Sequence, residues 1–441
     1  MERTAVGLAG KLSRTKQSVQ NEGPMRIENN SVPVVVLVSS QHGAVGIIRS
    51  LGRMGIPVYG VHQDFWEPAA RSRFLRRVFR WDFSSSPAED SLLFLKDVAR
   101  QIGRQPLLIP TSDITALFVA ENAEILAPEY LFSTPRVEVV RCLVNKQQTF
   151  DLCRKLRIPT AKTASPQCRE EVMNFAHTTS FPVVVKGEYG EFLGRGGKRL
   201  RVAIVAGENE LLEVFDLNAA TGRPGIILQE YIPGGDHSIW MFNGYFSDLS
   251  QCLFGTTGRK LRQFPPHQGS TSLGICARND AVETQTKRLI QAVAYRGPLD
   301  IGYRFDARDG QYKLLDANPR IGSTFRLFAA KNGLDVARAL YLDITGQSIP
   351  SAQISEGRKW IVETNDLASS WSHFREGQLT LGAWMRSLRG VQEGVWLASD
   401  DLAPLATLPL LWFRKRFGGG TGPSSASSSS TDSALPETQN P

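Results

Sequence analysis

The chain lacks most marks of a secreted, disulfide-built or membrane-spanning protein. Its five cysteines, Cys142, Cys153, Cys168, Cys252 and Cys276, are odd in number and scattered, with no CxxC spacing. That argues against a disulfide framework, so reduced thiols and a cytoplasmic location are expected, and no zinc site. No apolar stretch approaches the ~18–20 residues that a spanning helix needs. Residues 1–30 have no apolar core of the signal-peptide kind, so none is expected there. No GxGxxG follows a strand pattern, which removes the dinucleotide fingerprint. Basic runs interleaved with aromatics are also missing. The net charge of +8 therefore points to anionic small substrates or an acidic surface rather than to nucleic acid.

With 441 residues, the chain is too long for one core and suggests two or three domains. Residues 1–31 are polar and aperiodic and are expected to form a disordered leader. Residues 418–441 are rich in Gly, Ser, Pro and Thr and are expected to form a disordered tail. Between them, VPVVVLVSS at 32–40 is a β-branched run suited to a strand buried on both faces. A helical pattern through Val45, Ile48, Leu51 and Met54 follows, then IPVYGVH at 56–62, which makes a βαβ unit. A strand at 106–110 leads into Thr111-Ser112-Asp113, a helix cap, and a helix through Ala127. The expected N-terminal domain is an open parallel α/β sheet over 32–140. Further on, helix 143–156 carries Lys146, FPVVVK at 181–186 is a strand, and 187–198 is a glycine-rich loop. Strands are expected at 200–205 and 226–232, and a hairpin at 297–305 and 311–317.

The segment LLDANPR at 314–320 carries the chemistry. On a strand, Asp316, Asn318 and Arg320 project to one side. A carboxylate beside an amide oxygen suits a hard cation, and the guanidinium supplies a fork for phosphate oxygens. The preceding strand offers Asp300 or Asp306 as a further acid. If the hairpin turns at Arg308-Asp309, Gly302 lies near Asp316, Asp300 near Asn318, and Asp306 near Tyr312, which favours Asp300.

Asn145-Lys146, FPVVVK with Lys186, the glycine loop, QEYIPGGD and LLDANPR together resemble an ATP-grasp domain over about 141–346. RSLGRMGIPVYGV, TSD and LLDANPRIGSTFRLF resemble its carboxylate–amine ligase branch, which includes D-aspartate ligase-like proteins. The resemblance implies a pre-ATP-grasp α/β domain followed by a two-lobed α+β ATP-grasp domain, with residues 347–417 as a C-terminal extension. It also implies ATP and Mg²⁺ as cofactors and small carboxylate and amine substrates. Lys146 and Lys186 would meet phosphates, with Lys198, or its neighbours Arg195 and Arg199, reaching them from the glycine loop, and Gln229, Glu230 and Ile232 would form the adenine hinge. Asp236 would take the ribose hydroxyls, and Asp300, Asp316 and Asn318 would hold metal. Arg320 would hold the γ-phosphate and a developing acyl phosphate; Arg326 could serve a substrate carboxylate or equally be a solvated helix residue.

The chain departs from the family pattern in three places. Asp316 stands where Glu is commoner, Gly302 where relatives carry a second acid, and Glu188 and Glu191 lie inside the glycine loop. These departures keep open a non-catalytic nucleotide-binding scaffold, or a kinase or carbamoyl-phosphate synthase-like activity on the same fold. Two weaker features remain. His42, at the first strand's end, could be an acid–base group or a plain turn residue. LAPLATLPLLWFRKRF at 402–417 could pack on the body or dock on a membrane surface or partner through Arg414, Lys415 and Arg416. Pro404 and Pro409 argue against one long helix there.

Overall fold

The structure, a computed structural model, describes residues 25–37, 42–133, 135–188, 192–222 and 225–417. Residues 38–40 of the first strand run and Glu191 of the glycine loop, named above, lie outside that set, as do 1–24 and 418–441.

Val34–Leu37 is buried along its whole length and pairs in parallel with Val58–His62 on one side and Leu107–Pro110 on the other. A fourth strand, Leu75–Arg80, closes the far side of this sheet. Its sequence conceals it: Arg76, Arg77 and Arg80 are exposed, as suits an edge strand that must not pair further. Helix Gly43–Gly52 buries Val45, Ile48 and Leu51. Helix Asp113–Glu121 is capped by Ser112, whose hydroxyl accepts from the Thr115 N–H, and it ends at Asn122 rather than running on to Ala127.

Two further sheets follow. The smaller has strands in the order Thr163–Ala164, Ile226–Glu230, Val183–Gly187, Val202–Val205, all antiparallel. Helices Arg169–His177 and Glu208–Ala220 cover its apolar face. The larger is seven-stranded, in the order Gln311–Asn318, Gly297–Asp306, Ile239–Phe246, Cys252–Phe264, Ser270–Cys276, Lys359–Ile361, Val391–Gly394. Its last two strands come from the Trp-rich region beyond residue 346, so that region is built onto the sheet. The segment expected as one helix over 143–156 is two, Val137–Val144 and Lys146–Lys155, divided at Asn145.

Residues 25–31, read from sequence as part of a leader, lie against the body. The Met25 N–H donates to the Asn332 carbonyl at 2.9 Å, and the Asn29 N–H to Gln347 Oε1 at 2.9 Å. Core side chains of the first domain (Ile48, Leu51, Val58) pack with Phe325, Val336, Leu340 and Tyr341, so the two halves share one apolar core. The C-terminal extension ties them again: Arg49 meets Asp401 at 2.9 Å with both buried, and Arg53 meets Asp400 at 2.8 Å.

Residues Ala403–Phe417 form one helix with Pro409 inside it, against the expectation of a break. Pro404 falls in the first turn, where no intrahelical donor is needed, and only Pro409 forfeits a bond. The helix buries Pro404 and Thr407 and lies beside the turn Pro68–Arg71, with Arg414 over the Trp66 ring at 5.4 Å. No helix among the described residues is long and apolar enough to cross a membrane.

Candidate active site

The hairpin Gly297–Asp306/Gln311–Asn318 has the register expected where it matters: Asp300 opposes Asn318, and Gly302 opposes Asp316. A bulge just beyond Gly302 then shifts the ladder, so Asp306 faces Gln311 rather than Tyr312. Asp306 is not among the residues that line the cleft. It is fully buried, meets Lys313 at 2.6 Å and Arg308, and these hydrogen bonds hold its carboxyl well below the usual range.

Asp300 sits among polar neighbours. Asn243 Nδ2 donates to its Oδ1 at 2.8 Å, and Arg320 Nη1 lies 3.7 Å from its Oδ2. Asn318 Nδ2 donates to its carbonyl at 3.2 Å. Burial pushes its pKa up to about 6; nearby Asp316 adds to this, while Arg320 opposes it. The loop after the strand closes over it, since a Cβ on Gly322 would stand 2.4 Å from the Asp300 carboxyl carbon. Gly302 has a similar reason. A Cβ there would stand 2.5 Å from Asp316 Oδ1, so the Asp316 carboxylate lies over the glycine.

Asp316 and Asn318 line a cleft of ≈ 400 Å³ with Lys146, Gln229, Thr163 and Asp113. Lys146 is the first residue of its helix, beyond the cap in which Asn145 Oδ1 accepts from the Gln148 N–H. Its ammonium and the helix N-terminus put positive charge at one place, which favours an anion. Lys186 ends its strand beside the cleft, and its Nζ donates to Gln229 Oε1 at 2.8 Å. Burial brings its pKa down to about 8, with Asp316 pulling the other way. The central strand adds a cation that sequence reasoning missed. Lys260 donates to the Gly269 carbonyl at 2.7 Å and Gln263 Oε1 at 3.1 Å, and burial lowers its pKa to about 8 against the pull of Asp316 and Asp236. Nothing local marks Lys260 in the sequence. Only its place on a strand facing those acids does.

Arg320 is held from the other domain: its Nε donates to Asp113 Oδ1 at 2.9 Å. The TSD turn therefore orients the arginine as well as starting a helix. Gln229 is buried and also donates to Thr163 Oγ1 at 3.2 Å. The Glu230 N–H is committed to the Lys162 carbonyl at 2.8 Å, and its side chain pairs with Arg308. Ile232 is buried. Asp236 accepts from Gln263 Nε2 at 2.8 Å and from its N–H at 3.2 Å.

Two expected roles do not fit. Lys198 is exposed and does not line the cleft among the described residues; its hairpin is fastened to helix Glu208–Ala220, where Asn218 bonds both the N–H and the carbonyl of Leu193. Arg326 is neither a solvated residue nor a free receptor for carboxylate. Its guanidinium is consumed by Glu393, through two bonds of 2.8 Å, and by Asp335. His42 packs on Trp360 with ring centroids 5.5 Å apart, and burial lowers its pKa to about 4, so at neutral pH it is uncharged.

The oxygens of Asp300, Asp316 and Asn318 are a hard donor set suited to Mg²⁺. The ionisation of Asp300 is disfavoured by burial and by Asp316, which a divalent cation would reverse. Close by, Asn243 Oδ1 is buried without a hydrogen-bond partner among the described residues, leaving one oxygen for a metal or its water.

Among curated proteins the chain is similar to a D-aspartate ligase of Enterococcus faecium, 24% identical over 326 residues, which is 71% of this chain and 76% of that protein. Among solved structures it is similar to the ADP complex of N5-carboxyaminoimidazole synthetase from Staphylococcus aureus. The TM-score is 0.59 at 14% identity, over 81% of this chain and 88% of that one. It also resembles the biotin carboxylase domain of 2-oxoglutarate carboxylase from Hydrogenobacter thermophilus, in complex with MgADP, ADP and bicarbonate. There the TM-score is 0.55 at 16% identity, over 75% and 73% of the two chains. At such identities the structural likeness establishes the fold. No family model matches the chain.

Proposed function

We propose that this chain is a member of the ATP-grasp superfamily and an ATP-dependent, Mg²⁺-dependent carboxylate–amine ligase that forms an amide through an acyl phosphate. The observation that carries this is that Asp316 and Asn318 line one cleft with Lys146 and Gln229, while Asp300, Arg320, Lys186 and Lys260 lie around those acids. The relative that is a D-aspartate ligase, and the neighbours solved with ADP and MgADP, support the same reading.

In this reading Asp300, Asp316 and Asn318 hold Mg²⁺, which when bound neutralises phosphate oxygens. Lys146 and Lys186 meet the phosphates, and Lys260 adds a third cation. Lys198 would join them only if its hairpin moved. Gln229 holds the Lys186 ammonium in place, Glu230 and Ile232 line the base edge with main-chain groups, and Asp236 accepts the ribose hydroxyls. Arg320, oriented by Asp113, faces the transferred phosphoryl group. A substrate carboxylate oxygen attacks the γ-phosphorus and ADP leaves. An amine nitrogen then attacks the acyl carbon, phosphate departs, and the amine loses a proton. Both partners are anionic in the first step, so charge neutralisation and alignment carry the rate. The scaffold alternative rested on Gly302 and on the altered glycine loop, and it is the first of these that the geometry bears on. The structure weakens it, because the shorter Asp316 places its carboxylate in the space over that glycine.

The test is ADP release from Mg²⁺-ATP with one pool of amine-free carboxylic acids as carboxylates and one pool of D- and L-amino acid amides as amines. Release that requires both pools supports ligation. Release without an amine indicates a kinase or an ATPase, and a protein that binds nucleotide without release is a scaffold. For the C-terminal helix we propose packing on the N-terminal domain rather than membrane docking, because Arg414 is engaged by Trp66 and lies 3.6 Å from Asp64.

A further inference from the structure

We propose a second metal site, for a borderline d-block divalent cation such as Zn²⁺, formed by His267, His373 and Glu376. No zinc site was expected from the sequence, because the search rested on cysteines. The turn between strands Cys252–Phe264 and Ser270–Cys276 carries His267, and the end of helix Glu363–Arg375 carries His373, with Glu376 just beyond it. One ligand atom from each lies within 4.8 Å of the others. His267 Nε2 is 3.4 Å from Glu376 Oε2, and His373 Nδ1 is 3.8 Å from the same oxygen. A tetrahedral ion with bonds of ~2.0–2.2 Å holds its ligand atoms about 3.3–3.6 Å apart, so the two contacts to Glu376 already match within tenths of an ångström, and the two imidazole nitrogens, within 4.8 Å of each other, close on the ion by side-chain rotation. Two imidazoles and one carboxylate select zinc-like cations over Mg²⁺, which takes oxygen donors and keeps its waters.

Three more observations bear on it. His373 is buried, whereas His267 and Glu376 are exposed, so the cluster is anchored on one side and open to solvent on the other. That leaves a coordination position for water. The other ring nitrogen of His373 lies 4.0 Å from Asp236 Oδ2. Metal on Nδ1 would place the ring proton on Nε2, facing that carboxylate, the arrangement that orients metal-bound histidines. Gln378 Oε1, now 3.1 Å from Nδ1, would be displaced. Finally, the cluster lies at the C-terminal end of a helix, where the peptide dipoles favour a cation. The ligands come from segments 109 residues apart, so no spacing motif announces them. An ion here would fasten the C-terminal extension to the central strands. The site is independent of the ligase reading and is tested without nucleotide.

The test is a Zn²⁺ titration of the full chain, freed of metal by chelator and dialysed into millimolar Mg²⁺, against a chromogenic competitor. X-ray absorption at the zinc edge is recorded on the loaded protein. We expect one Zn²⁺ per chain, a spectrum with two imidazoles and no sulfur, and at least tenfold weaker binding in His267→Ala and Glu376→Gln. Both residues are exposed, so unchanged far-UV circular dichroism is expected in these variants, and His373→Gln should follow them. Zinc binding unaltered in His267→Ala and Glu376→Gln, a sulfur-ligand spectrum indicating the exposed Cys168, or no binding in the presence of Mg²⁺ would each overturn the proposal.

Discussion

At the residue scale, three aspartates on one hairpin have three different surroundings. Asp316 lines the cleft, Asp300 sits beside Asn243 and Arg320, and Asp306 is locked between Arg308 and Lys313. Asp316→Asn and Asp300→Asn should each lower turnover on the order of 100-fold or more while leaving the unfolding midpoint without ligand nearly unchanged, since each removes a charge from the proposed metal site but keeps its shape. Asp306→Asn should do the reverse. It should destabilise the protein by about 2 kcal/mol, the scale of hydrogen bonds to charged groups, with turnover retained in the folded fraction. Denaturant melts and steady-state rates on the three variants separate these outcomes. The alternation of strand side chains was enough to pair Asp300 with Asn318 from sequence. It could not show that the ladder slips by one beyond Gly302, because a bulge depends on packing across the sheet.

The lysines give a prediction with a defined sign. Burial lowers Lys186 and Lys260 to about 8 from 10.5. Between those values the unfolded chain binds more protons than the folded one, so their contribution to the stability of the ligand-free protein rises with pH across that window. Phosphate binding needs the charged ammonium, so the increase in unfolding temperature caused by Mg²⁺-ATP should shrink over the same range. Thermal melts at about pH 7 and about pH 9, with and without nucleotide, check both signs. A nucleotide shift that is as large at the higher pH would remove the two lysines from the phosphate site.

At the element scale, the TSD turn is the informative case. Asp113 begins a helix in one domain and fixes Arg320 in the other at 2.9 Å. Asp113→Asn should lower kcat on the order of 10- to 100-fold, because a misaligned guanidinium no longer meets the transferred group. The KM for ATP should stay within about twofold, since uniform binding is untouched. A rise in KM with unchanged kcat would instead place Asp113 in nucleotide binding. The sequence shows the turn clearly, but not that it faces Arg320, which lies 207 residues away. Elements with plain periodicity were legible: the Val-rich strand, helix Gly43–Gly52 and the hairpin. The middle of the large sheet was not. Ile239–Phe246 is buried at every position but Trp240, so it has no alternation to read. Cys252–Phe264 mixes Gly255 and Gly258 with Arg259, Lys260 and Arg262 and reads as loop. Lys260 was lost with it.

At the scale of the whole molecule, the N-terminal domain, the large sheet and the C-terminal extension are joined by a shared apolar core and by buried ion pairs. Arg49 with Asp401, and Arg326 with Asp335 and Glu393, hold the joints. That arrangement gives Arg326 a structural task, although its motif resembled a substrate-binding one. The central claim is the acyl phosphate, and hydroxylamine traps that species directly as a hydroxamate. With Mg²⁺-ATP, pooled carboxylates and hydroxylamine, the account predicts hydroxamate formed in step with ADP, and neither product from Asp316→Asn. ADP formed without any carboxylate requirement, and with no hydroxamate, would contradict it.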